Sequence, residues 1–168
     1  MITVIGIDPG LAATGIGIVR GHGLRIEGYS FGSINTSQNT SLPERLDQIF
    51  SKLLQILKNE KPDLMIVEEV YSLNRHPKSG ILLGQVTGIV FLAGFQAAVP
   101  LLEVSVREAK QVLTGNGNAT KMQLEKAVRH QLNHKQPIRP LHASDAMGLA
   151  LIGLYRHQDK PGYPVQGP

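Results

Sequence analysis

Cysteine and tryptophan are both absent from this chain of 168 residues. Without cysteine there is no disulfide, no thiolate metal site and no cysteine nucleophile, and the composition suits a reducing cytoplasm. The first residues, MITVIGIDPG, lack the basic start and small-residue cleavage site of a signal peptide, so the mature protein is expected to begin there. Charge is also missing from a long stretch, because no residue from Gly80 to Val99 is ionisable. Its length makes it a candidate membrane span, and Gly80, Gly84 and Gly88 form a small-residue ridge. Gln85, Thr87, Gln96, the four glycines and the lack of interfacial tryptophan argue against insertion. The expectation is a helix buried on both sides inside a soluble protein, also serving a subunit contact, with no membrane partner.

Hydrophobic residues at 42% and charged residues at 18% describe an ordinary globular chain. The length favours a single domain, here expected over residues 1–157, followed by a flexible tail at 158–168. Net charge is +4 and unevenly placed. Residues 1–104 carry eight Lys/Arg against nine Asp/Glu, whereas 105–168 carry nine against four. A basic final third suits a polyanionic partner such as nucleic acid.

The run 2–8 is apolar, β-rich and closed by Pro9-Gly10, so it reads as a buried strand ending in a turn. Strands at 14–20 and 24–34, separated by Gly21-His22-Gly23, complete an antiparallel meander. Ser41 and Glu44 have capping-box spacing, and Leu46, Ile49, Leu53, Ile56 and Leu57 follow at helical intervals, predicting a helix over 42–59. Residues 63–71 form the fourth strand, 80–99 the uncharged helix and 101–106 the fifth strand. A short helix at 107–113, a Gly-Asn loop at 115–119, a capped helix from Thr120 to about 133 and a last helix at 142–157 complete the chain. Three strands followed by alternating helices and strands give an α/β, ribonuclease-H-like fold: a five-stranded mixed sheet with helices on both faces.

Acidic residues inside apolar elements are costly unless a positive charge meets them. Asp8 ends the first strand, Glu68 and Glu69 lie in the fourth, and Asp145 sits in a helix among Ala146, Met147, Leu149 and Ala150. Carboxylates on three separate apolar elements are most simply held together by a shared divalent cation. Hard oxygen donors select Mg²⁺ or Mn²⁺, and two such ions can activate water for attack on a phosphodiester. His142 precedes Asp145 by three residues and shares its helix face. Glu68 and Glu69 point to opposite faces of their strand, so one of them faces the site, and the local pattern leaves the choice open. The loop Gly115-Asn116-Gly117-Asn118 leads into Lys121 and fits a DNA-phosphate contact, although the Walker Gly-Lys-Ser/Thr pattern is absent.

Taken in order, GIDPG (6–10) followed by TGIGIV, VEEVY (67–71), LGQVTG (83–88), Lys110-Gln111, GNGNATK (115–121) and HASDA (142–146) resemble the motifs of the RuvC family of Holliday-junction resolvases. The resemblance runs over nearly the whole chain. It implies a dimeric ribonuclease-H-like endodeoxyribonuclease that makes paired nicks across four-way DNA junctions in recombination and repair. It implies metal ligands and catalytic residues at Asp8, Glu68, His142 and Asp145, choosing Glu68 over Glu69, with about two Mg²⁺ (or Mn²⁺) ions per site. Lys110 and Lys121 fall where the family has basic residues near DNA, and Tyr71 where it has an aromatic packed at the junction. Partners implied are junction DNA, a second copy of the chain and the RuvAB branch-migration complex. Many members have Asp where this chain has His142, and a nitrogen donor there shifts metal preference toward Mn²⁺.

Other classes fit less well. An actin-like sugar or acid kinase also opens with a strand and hairpin of this kind but needs two such domains, and 168 residues supply one. A junction-binding module without catalysis has no use for three carboxylates that repel DNA. A RuvC-like nuclease acting on RNA shares the fold, and the basic segment from Lys110 to Lys121 argues mildly against it.

Overall fold

The computed structural model describes residues 1–70 and 77–157, so Tyr71 and the expected tail at 158–168 lie outside the described residues. Strands β1 (Ile2–Asp8), β2 (Ala13–His22) and β3 (Arg25–Asn35) form the antiparallel meander, and β4 (Leu64–Glu68) and β5 (Leu101–Val104) add in parallel beside β1. The sheet order is β3-β2-β1-β4-β5. Five helices follow the expected positions: α1 (Leu42–Glu60), α2 (Pro77–Gln96), α3 (Val106–Thr114), α4 (Lys121–Gln131) and α5 (Leu141–Arg156).

Side chains alternate across each strand, and this alternation divides the interior in two. Ile5, Ile7, Ile16, Ile18, Ile34, Met65 and Val67 face α1 and α2. Val4, Val19, Leu64 and Ile66 face α3, α4 and α5. Helices therefore cover both faces, as a mixed sheet buried on both sides requires.

Local chemistry sets the boundaries. Ser41 and Glu44 make the capping box that starts α1, and Lys61, at φ 45°, ends it by donating its N–H to the Leu57 carbonyl. Thr120 and Gln123 do the same for α4. The fifth strand is shorter than expected because Ser105 leaves the sheet to cap α3, accepting the Glu108 N–H at 3.2 Å. β4 likewise ends at Glu68, short of residue 71.

The uncharged segment corrects one expectation. α2 is buried on one face alone, through Val86, Thr87, Val90, Ala93 and Gly94, and packs on α1. Ile81 (64% exposed), Leu92 and Phe95 (83% exposed) point outward, and so do Gly84 and Gly88. By length and composition α2 is also a helix that could cross a membrane. Absence of charge recorded an apolar surface on both sides of the helix, of which the described residues cover one.

Candidate metal centre

α5 is the centre of one core: its residues Ala143 through Leu154 are all buried. It reaches that position because the strands beneath it are glycine where it crosses. A Cβ on Gly6 would stand 2.0 Å from the Ala146 carbonyl oxygen, and one on Gly15 would stand 2.0 Å from that of His142. Gly17 meets Met147 in the same way. Helix backbone thus lies directly on sheet backbone, an approach that any side chain would prevent. Gly15 is the register partner of Asp8, so the contact seats the first turn of α5 beside the end of β1. Thr14 closes the turn that follows, its hydroxyl donating to the Gly10 carbonyl at 2.9 Å.

Three of the expected residues meet there. Asp8, His142 and Asp145 each offer a ligand atom, and these atoms all lie within 4.8 Å of one another. His142 Nδ1 is 2.6 Å from Asp8 Oδ2, and 44% of the imidazole side chain is exposed. Asp8 and Asp145 are buried. Glu68 stands outside this triplet but its carboxyl is hydrogen-bonded to that of Asp8. Parity explains why it is Glu68: residues 64, 66 and 68 share the face on which Leu64 and Ile66 meet α5, and Gly6 and Asp8 share it too. Glu69 has the opposite parity, and its backbone N–H donates to the Val104 carbonyl at 3.0 Å.

The electrostatics are those of anions crowded out of water. Burial pushes the Glu68 carboxyl up to about 8, reinforced by its hydrogen bond to Asp8 and by the charges of Asp8 and Asp145. Burial also raises Asp8, to about 6, while the hydrogen bond from Glu68 opposes the rise. Of the two hydrogen-bonded carboxyls, Glu68 is the one that holds a proton more readily. Lys121 supplies the compensating charge, its Nζ lying 3.1 Å from Asp145 Oδ2. Burial works against the Lys121 ammonium, but Asp145, with Asp8 and Glu68 behind it, holds it above the usual lysine range. A site with this surplus of acceptors and shared protons fits a divalent cation, and its oxygen-rich donor set with one imidazole fits a hard or borderline one.

The remaining expected residues divide. Lys121, read from the sequence as a phosphate contact, is a member of the cluster. Lys110 is half-buried on α3 and, among the described residues, joins none of these contacts. Tyr71 lies outside the described residues. Sequence reasoning missed Glu125, 7% exposed, whose carboxylate accepts the Ile138 N–H at 2.9 Å. The signal was present, since Glu125 interrupts the neighbourhood of the apolar stripe Leu124, Val128 and Leu132.

A mixed sheet of this order, with carboxylates at the ends of neighbouring parallel strands and a third on the helix across them, defines a ribonuclease-H-like metal-dependent nuclease. Residues 4–153 match the family described as crossover junction endodeoxyribonuclease RuvC. The chain belongs to the RuvC family. It is 38% identical to the crossover junction endodeoxyribonuclease RuvC of Prosthecochloris aestuarii, over 98% of this chain and 87% of that protein. The Rhodopirellula baltica protein of the same name is 36% identical over 90% and 85% of the two chains. Among solved structures, T. thermophilus RuvC in complex with Holliday junction substrate is similar at a TM-score of 0.87 and 31% identity, covering 95% of this chain and 97% of that one. The yeast mitochondrial Holliday junction resolvase Ydc2, at 13% identity and a TM-score of 0.60 over 93% and 78% of the two chains, shares the fold.

Proposed function

We propose that this chain is an endodeoxyribonuclease that resolves four-way DNA junctions by paired nicks, with Asp8, Glu68, His142 and Asp145 as its metal-binding and catalytic residues. The observation that carries the reading is the gathering of Asp8, His142 and Asp145 within 4.8 Å, with Glu68 bonded to Asp8, in a chain of this family. The catalytic unit is the single domain of residues 1–157, in which one sheet shares both cores. Mg²⁺ or Mn²⁺, about two ions per site, would supply Lewis-acid activation of water and of the phosphodiester oxygens. Asp8 and Glu68 would hold the cation from the sheet side. His142 and Asp145 would hold it from α5, and the imidazole is part-exposed to solvent. Lys121 neutralises Asp145 here, and with a cation bound its ammonium would be available to stabilise charge on the scissile phosphate. Roles for Lys110 and Tyr71 in binding DNA rest on family membership.

The outward strip of Ile81, Gly84, Gly88, Leu92 and Phe95 on α2 supports a homodimer, because a contiguous apolar helix face of this kind needs a partner surface. Two copies are also what paired nicks require. Cytoplasmic location and partnership with the RuvAB complex rest on family membership. The test is cleavage of a synthetic four-way junction beside linear duplex and an RNA–DNA hybrid, with Mg²⁺ and with chelator. Paired nicks confined to the junction and dependent on the cation are expected. Preferential cutting of the hybrid, or binding with no cutting under any divalent ion, would refute the reading.

A further inference from the structure

α4 carries three polar side chains one turn apart, and each grips a different point of the chain between residues 135 and 145. Lys121 Nζ meets Asp145 at 3.1 Å, Glu125 Oε1 accepts the Ile138 N–H at 2.9 Å, and Arg129 Nη1 donates to the Lys135 carbonyl at 3.4 Å. Residues spaced by four share one helix face, and their partners run back along the chain in reverse order. Glu125 is the unusual member. It is 7% exposed, and its charge is met by Arg129 Nε at 3.3 Å. A buried carboxylate persists only where pairing and hydrogen bonds offset its desolvation. Here its hydrogen bond goes to Ile138, itself fully buried, two residues before the Pro140 N-cap of α5 and four before His142.

We propose that Glu125 is a positioning residue of the metal centre: by tethering Ile138 it fixes the entry into α5, and with Lys121 one turn earlier it sets His142 and Asp145 against Asp8. On the sheet side the α5 backbone is wedged on Gly15 at His142 and on Gly6 and Gly17 farther along, contacts that set its height over the sheet. On the α4 side the approach of the chain to His142 and Asp145 is held by Glu125 and Lys121. Loss of the tether therefore loosens the donor set without dissolving the fold, as removal of groups that orient metal ligands does elsewhere.

The test compares wild type with Glu125→Gln, Glu125→Asp and Val128→Ala, each confirmed folded by its melting curve and assayed well below it. Glutamine keeps an oxygen at the same reach, aspartate keeps the charge but is one methylene short, and Val128→Ala loosens α4 packing while leaving the tether in place. Mn²⁺ binding by calorimetry without DNA is the first readout, and single-turnover junction cleavage beside junction affinity is the second. The cleavage arm rests on the function proposed above, whereas the Mn²⁺ titration does not. Glu125→Asp is expected to weaken Mn²⁺ binding and slow maximal cleavage by about tenfold or more, with junction affinity unchanged, while Glu125→Gln stays within about threefold of wild type in both. Val128→Ala should follow wild type. Aspartate behaving as wild type, glutamine as poor as aspartate, or Val128→Ala losing as much Mn²⁺ affinity would each overturn the proposal. Wild type that binds Mn²⁺ but leaves junctions intact would remove the nuclease reading and leave the tether to be decided by the titration.

Discussion

Replacing Asp8 by asparagine should stabilise the metal-free protein, and by an amount that depends on pH in a defined direction. Asp8 is 6% exposed, and burial raises its carboxyl from 3.8 to about 6. A group whose folded pKa lies above its unfolded value binds its proton more tightly in the native state. Below the unfolded value both states are protonated and no stability is lost, and near pH 4 the loss is only beginning. As pH rises through the interval between the two values, the unfolded chain ionises freely and the folded one does not, so native stability falls. At about 1.36 kcal/mol per pKa unit, the penalty for ionising Asp8 is about 3 kcal/mol once pH exceeds its folded value. Glu68 extends the decline toward pH 8. Asparagine cannot ionise, keeps an oxygen for the His142 ring and relieves Glu68 of a neighbouring charge. In chelator at pH 8, Asp8→Asn should therefore melt roughly 6–12 °C above wild type, given the response of chains this size. At pH 4 the difference should shrink below about 1 kcal/mol. Mg²⁺ should raise the wild-type melting temperature and leave the variant nearly unchanged. Differential scanning calorimetry at both pH values decides the matter. A variant no more stable than wild type at pH 8, or a difference that ignores pH, would refute this account of the site.

Glu68→Gln should abolish junction nicking while Glu69→Gln stays mild, and a comparison of the two nicking rates checks the strand parity. His142→Ala should lose most cleavage, whereas His142→Asp, which restores an oxygen donor, should retain substantial activity with Mg²⁺; single-turnover rates of the two variants provide the check. Gly15→Ala should push the first turn of α5 off the sheet, because its methyl would stand 2.0 Å from the His142 carbonyl. A stability loss of about 1–3 kcal/mol, together with loss of Mn²⁺ binding, is expected by denaturant titration and calorimetry. If α2 carries the proposed dimer contact, Phe95→Lys should sediment as a monomer where wild type sediments as a dimer, with its far-UV circular dichroism unchanged, because Phe95 is 83% exposed.

What the sequence discloses about this protein is mostly local. Ser41 and Glu44, and Thr120 and Gln123, announce their helices because capping chemistry is contained within four residues. The strand order follows from apolar runs and turn residues. The choice between Glu68 and Glu69 does not, because strands buried on both faces lose the alternation that would reveal parity. Gly6, Gly15 and Gly17 carry no local sign of their purpose, which emerges only when α5 is laid across them. Lys121 was read as a residue for DNA because its local surroundings are polar, whereas its partner Asp145 lies 24 residues away. The exposed side of α2 was hidden for a related reason: an uncharged helix looks the same whether its own chain or another one covers it.

The lateness of α5 in the chain governs when cutting can begin. Asp8 and the histidine it touches are separated by 134 positions, and the helix bearing that histidine is the last of the described elements to be synthesised. Until it arrives, Val4, Val19 and Ile66 have no cover on that side of the sheet, and the glycine strip lies open. Closure of so long a loop is slow compared with the formation of the hairpin it completes. A chain that lacks α5 thus carries Asp8 and Glu68 without His142 and Asp145, the donors that complete the candidate metal centre. Cleavage through the proposed metal centre thus awaits docking of α5, which brings His142 and Asp145 to Asp8.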